Sequence, residues 1–127
     1  MSRHIEARFE IANWDETPFD DTESPKLTEA LVSKKYSGDI EGTSTTKWVM
    51  AYAPDKTAAY VGIERIDAKV GDKRGRLVLL HDGAFEGGVA TATLRIVSGT
   101  DELTGATGTG KFRADPAGSI TLDLDGV

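Results

Sequence analysis

The chain has 127 residues, 15 basic against 21 acidic, for a net charge of −6, with 14 glycines and no cysteine. This length fits one domain, residues 1–127. The acidic balance argues against nucleic-acid or anionic-membrane partners, which need clustered Lys and Arg, and the missing cysteines exclude disulfides, thiol catalysis and cysteine metal sites.

No sustained helical period is present. Ile5, Ala7, Phe9 and Ile11 alternate with His4, Glu6, Arg8 and Glu10, the pattern of a half-buried strand. The acidic, proline-bearing stretch from Asn13 to Pro25 reads as a long loop. A second strand is expected over 26–36, turning at Ser37-Gly38, and a third over 39–52, turning at Pro54-Asp55. A fourth covers 57–68, and a fifth 74–81 with Asp82-Gly83 as a turn or bulge. A sixth runs over 88–97, a seventh over 109–114 and an eighth over 119–125.

Between the sixth and seventh lies a run of small residues, Val97 to Gly110, in which glycine and threonine recur. Threonine favours strands and glycine supplies turn geometries, so this run reads as a packed β-connection rather than a flexible linker. Its glycines superficially suggest a phosphate cradle, but no helix pattern follows, as a dinucleotide site requires. Eight sequential strands with short connections predict an all-β fold, a single antiparallel eight-stranded β-barrel, closed because closure removes exposed edges. Such an interior holds packed side chains or one small ligand.

Parity proposes the lumen. Trp48, Met50 and Tyr52 share a face, as do Tyr60, Gly62, Glu64 and Ile66, and Leu77, Leu79 and His81. If these faces point inward, the interior is an apolar, aromatic pocket with Glu64 and His81 as its ionisable groups, the composition of a small-molecule site. Trp48, Met50, Tyr52, Tyr60 and Leu79 are the candidate ligand-binding residues. Glu64 and His81 are the candidate catalytic pair: a carboxylate buried there would have a raised pKa suited to general acid–base work, complemented by imidazole. The plainer alternatives are an outward Glu64, a structural His81 at a strand end, and Trp14 and Trp48 as packing anchors. Asp15-Glu16 and Asp20-Asp21 lack the spacing of a calcium loop, and no zinc-protease, Walker or nucleophile-elbow motif occurs, so no metal or cofactor is expected.

The segments 48–52, 58–63 and 77–80 are apolar on both faces. Two dry faces imply that the outside of strands three to five is covered, by a homo-oligomer interface or by a loop around Trp14 and Phe19. No apolar run is long enough to span a membrane as a helix, and with no export signal the cytoplasm is the expected location.

Phe9 through Trp14-Asp15, Lys35 to Gly42, Ala59 to Glu64 and Gly99 to Gly105 occur here in an order that resembles a bacterial domain-of-unknown-function family, DUF3224, with an allene oxide cyclase-like barrel. The resemblance extends from about Ala7 to Leu124. Ser98-Gly99-Thr100 is also similar to the Gly-Thr-Gly element of plant allene oxide cyclases and dirigent proteins, with Asp101 where that element has glycine. The plant likeness is one of fold, and the bacterial family has no settled activity. Three functions follow as expectations: binding of a small, largely apolar or aromatic molecule in the barrel; a cyclase- or isomerase-type enzyme acting on a reactive apolar substrate there; or a filled barrel acting as an oligomeric interaction module.

Overall fold

The computed structural model describes residues 3–115 and 117–127. Eight strands follow one another: β1 (Arg3–Asp20), β2 (Lys26–Gly38), β3 (Ile40–Tyr52), β4 (Ala58–Val70), β5 (Lys73–Glu86), β6 (Val89–Gly99), β7 (Thr107–Ala114) and β8 (Gly118–Asp125). Every neighbouring pair is antiparallel, and β8 returns to β1 to close the barrel. The expected fold class is the one observed. Among the described residues no helix is long and apolar enough to cross a membrane.

Alternation dictates which side chains turn inward. Ile5, Ala7 and Phe9 of β1, Ala30 and Val32 of β2, Leu77 and Leu79 of β5, and Leu122 and Leu124 of β8 are all buried. The parity assignments for strands three to five hold: Trp48, Met50, Tyr60, Glu64, Ile66, Leu79 and His81 are all buried within the ring.

Most boundaries move by one or two residues, and two differ by more. The stretch 13–20 is strand rather than loop: β1 continues to Asp20, pairing Trp14 with Val32 and Glu16 with Ala30. Ladder pairing with the apolar β2 outweighs the low strand propensity of Asp and Pro. From Phe9 back to Arg3, β1 also pairs with β8; beyond that point it has β2 on one side only. Similarly, Asp82-Gly83 is no turn, because β5 runs on to Glu86 with both residues in register with β4 and β6. This places His81 within a strand rather than at its end.

The glycine–threonine run carries the base of the barrel. A short 3-10 turn, η1 (Asp101–Leu103), follows β6 and drives Leu103 into full burial. A Cβ on Gly75 would stand 2.2 Å from the Thr100 carbonyl oxygen, and one on Gly99 would stand 2.0 Å from that of Leu103, so both contacts require glycine. Asp101 adopts a left-handed φ of 55°, a conformation Asp tolerates better than most side chains.

Candidate functional site

Inside the barrel, Trp48 of β3 lies opposite Gly62 of β4, which in turn lies opposite His81 of β5. Because Gly62 has no side chain, the indole lies across it: a Cβ there would come within 2.5 Å of Trp48 Cδ1. The indole thereby reaches the His81 ring edge-on, at 5.7 Å between centroids. It also meets Tyr60 at 5.6 Å, Phe112 at 5.7 Å and Trp14 at 5.5 Å. Trp48, with Phe112 beside it, forms the partition between two compartments.

On one side is a pocket of about 180 Å³, bounded by Ile11 and Trp14 of β1, Trp48 and Met50 of β3, Tyr60 of β4, Phe85 of β5, Ala90 of β6, and Phe112 and Ala114 of β7. Its walls are almost entirely apolar. Tyr60 is held across Gly83, where a Cβ would lie 2.7 Å from the ring, and its hydroxyl donates to the Thr91 carbonyl at 2.8 Å. Burial pushes the Tyr60 phenol up to about 12, so it stays neutral. Trp14, half-exposed, is fixed over the opening by Glu16. The Glu16 carboxylate accepts from Trp14 Nε1 at 3.0 Å and from the Tyr52 and Thr28 hydroxyls at 2.7 Å each. Burial works against that charge, but the three hydrogen bonds outweigh it and lower the Glu16 pKa.

On the other side is a charged cluster. Glu64 is fully buried. Its Oε2 accepts from the Tyr36 hydroxyl at 2.5 Å and from Ser44 Oγ at 2.6 Å; its Oε1 lies 2.8 Å from His81 Nε2 and 3.3 Å from Lys34 Nζ. The Lys34 side chain is also fully buried, and its ammonium sits 5.0, 4.7 and 4.9 Å from the centroids of Phe9, Trp48 and Phe112. An ammonium shorn of water is stabilised by those ring faces as well as by the carboxylate.

The raised carboxylate pKa expected from the sequence is overturned here. Burial does push Glu64 up, but the Lys34 charge and the hydrogen bonds from His81 and Ser44 outweigh it and bring the pKa down to about 2. Glu64 is a fixed anion, a poor proton carrier. Burial lowers His81, against the opposing hydrogen bond to Glu64, so the imidazole is neutral near pH 7. With Nε2–H given to the carboxylate, Nδ1 holds the free lone pair, and it has no protein partner. Lys34 is lowered by burial, with Glu64 opposing. Burial and the Glu64 charge raise Tyr36 well above the usual phenol range.

The structure therefore brings Glu64 and His81 into contact, and sets Trp48, Met50 and Tyr60 around the pocket. Leu79 is buried opposite Glu64, away from the pocket wall, and Tyr52 stands half-buried at the rim, bonded to Glu16. Lys34, Tyr36 and Ser44 were not foreseen. The signal was available: Lys34 and Tyr36 share parity with Ala30 and Val32, and Ser44 with Trp48 and Met50. Four buried side-chain atoms lack a hydrogen-bond partner among the described residues: Lys34 Nζ, Thr46 Oγ1, Trp48 Nε1 and His81 Nδ1. All four belong to this cluster or to the partition above it. No group of three or more His, Asp or Glu among the described residues is arranged to hold a metal ion.

Comparison with solved structures finds a protein of unknown function from the DUF3224 family of Shewanella oneidensis MR-1. It is 23% identical, with 98% of this chain and 96% of that one covered and a TM-score of 0.77. A second, pyocyanin demethylase, is 14% identical, with 96% and 99% covered and a TM-score of 0.71. Both likenesses are of fold. No curated protein matches the chain. The family model described as "Protein of unknown function (DUF3224)" matches residues 5–125, nearly the whole barrel, and the chain belongs to that family.

Proposed function

We propose that this barrel binds one small, flat, largely apolar molecule at its mouth, between Trp14 and Trp48. The observation that carries this reading is the apolar pocket of about 180 Å³, walled by aromatic rings and opening under a tryptophan that is itself pinned in place. An apolar cavity of about 150 Å³ is large enough for benzene, so the volume suits one or two fused rings, or one end of something longer. Rigid aromatic walls supply contact area with little loss of side-chain entropy. A cytoplasmic location suits the cysteine-free composition.

A second reading, an isomerase-like or cyclase-like enzyme, draws on His81. Its Glu64 contact fixes the tautomer, leaving a lone pair at Nδ1 in a buried site behind Trp48. That is the arrangement of a positioned base, with Glu64 orienting and His81 taking the proton. The allene oxide cyclase-like likeness belongs with this reading, and the neighbour of similar fold whose name, pyocyanin demethylase, is that of an enzyme supports it by analogy of fold.

Titration with naphthalene and quinoline, followed by ¹H–¹⁵N NMR, tests the binding reading. Saturable shifts are expected at the Trp48 indole N–H and at Ala90, and they should disappear in Ala114→Phe, which fills the pocket. Shifts that never saturate, or that persist in the filled variant, defeat it.

A further inference from the structure

The outer wall of the barrel carries a second organised surface. Read across the ladders, Leu31, Lys47, Ile63, Leu80 and Arg95 lie side by side on β2 to β6. The row beside it is Glu29, Val49, Val61, Asp82 and Thr93. Residues two apart on a strand share a face about 7 Å apart, so the two rows form one patch. Its centre is apolar and open to solvent: Leu31 is 50% exposed, Val49 43%, Val61 55% and Ile63 54%. A shallow groove of about 680 Å³ runs over the β3 to β6 part. Trp14 does not cover it, because it packs, tilted, against Trp48 at the mouth.

The charges are sorted between the rows. Both cations, Lys47 and Arg95, lie in the first row, and both anions, Glu29 and Asp82, lie in the second. Lys47 reaches Glu29 within the chain at 3.6 Å, while Asp82 and Arg95 make no ion pair among the described residues. A two-fold axis running along the rows and between them sets the first row of one copy against the second row of the other. Across the interface Lys47 is then offset sideways by one strand spacing, about 4.8 Å, from the other copy's Glu29, and Arg95 by one spacing from its Asp82; facing sheets lie about 10 Å apart, a gap these long side chains reach across. The apolar residues meet in the middle. A self-complementary patch of this kind is what an isologous dimer requires.

We propose that the β2–β6 outer face is a two-fold interface with a second copy of this chain, its centre Val49, Val61, Ile63 and Leu80 and its register set by the opposed charge rows. This does not rest on the ligand reading.

Sedimentation velocity from 5 to 100 µM tests it. The unaltered chain should sediment as a dimer. Lys47→Glu/Arg95→Glu makes both rows acidic, and Glu29→Lys/Asp82→Lys makes both basic, so each variant alone should be monomeric. Mixed one to one, the two variants should recover the dimer, which also shows that both are folded. A monomeric unaltered chain, a trimer, variants that still self-associate, or a mixture that stays monomeric each overturn the proposal. Should a charge-reversed chain fail to fold by circular dichroism, Ile63→Ser on the same face decides. It should weaken dimerisation at least tenfold; an unchanged dissociation constant overturns the interface.

Discussion

Glu64→Gln leaves a fully buried ammonium facing an amide instead of a carboxylate. The Lys34–Glu64 separation is 3.3 Å and both side chains are fully enclosed. At an effective dielectric of 20, that distance corresponds to about 5 kcal/mol of gross attraction, which the desolvation of both charges largely offsets. Removing one partner leaves the desolvation in place without the attraction, so Glu64→Gln should cost about 3–5 kcal/mol. Lys34→Met strands the carboxylate, but Tyr36, Ser44 and His81 still hydrogen-bond it, so its cost should fall at the lower end of that range. In the double variant neither charge remains, and the methionine lies among Phe9, Trp48 and Phe112. The double variant should therefore be more stable than the sum of the two singles implies, with a coupling of about 2–3 kcal/mol. Urea unfolding followed by tryptophan fluorescence measures all four corners of the cycle. If the two costs add to within about 0.5 kcal/mol, the pair is not the interaction described.

Stability should fall on acidification. The folded pKa values of His81 and Glu64 both lie below their ordinary values, so the unfolded chain takes up protons first. The loss should begin below pH 6.5 through His81. It should continue through Glu64 from about pH 4.5 to about pH 2, where the depressed carboxylate contributes about 3 kcal/mol that is gone once both states are protonated. Glu64→Gln should have a smaller lower step, keeping only the part due to other lowered carboxylates such as Glu16; an unchanged acid profile would mean the wrong group has been assigned. Gly62→Ala places a Cβ 2.3 Å from the Lys47 carbonyl oxygen and 2.5 Å from Trp48, and should cost about 1–3 kcal/mol. It should also weaken naphthalene binding by tilting the indole, and a crystal structure with Trp48 unmoved would contradict this. Glu16→Gln replaces one accepting oxygen by an NH2; with the remaining oxygen kept by the Tyr52 and Thr28 hydroxyls, Trp14 Nε1 loses its acceptor, costing about 1 kcal/mol at this partly exposed rim. It should leave Trp14 mobile, read as faster tryptophan anisotropy decay, whereas an unaltered decay would show that Glu16 does not hold the ring.

Much of the barrel was legible because alternation is a direct physical consequence of the pleat. Parity alone groups Trp48 with Met50, Tyr60 with Glu64 and Leu79 with His81, with the direction of each face left open, and all six are buried. What misled was residue chemistry read without parity. Lys34 stands in Ser33-Lys34-Lys35, which looks like a solvated strand end, yet the same count that turns Ala30 and Val32 inward turns Lys34 inward too. Missing the lysine reversed the sign of the Glu64 pKa shift, since a lone buried carboxylate is raised whereas one beside an ammonium is lowered. The depth of Trp48 could not be read from its own strand, because it depends on Gly62 being opposite, a matter of register between strands.

The second half of β1 has β2 on one side and no strand on the other. Such an edge presents backbone N–H and C=O groups to any strand that arrives, and is a hazard for annealing between chains. Here it carries Asp15, Glu16, Pro18 and Asp20 within eight residues, charges that repel a like edge and a proline that cannot donate to a ladder. A composition that looked like a loop is that of a guarded edge. The gap it leaves in the wall lies at the pocket end, so the barrel has an entrance without offering a template for aggregation.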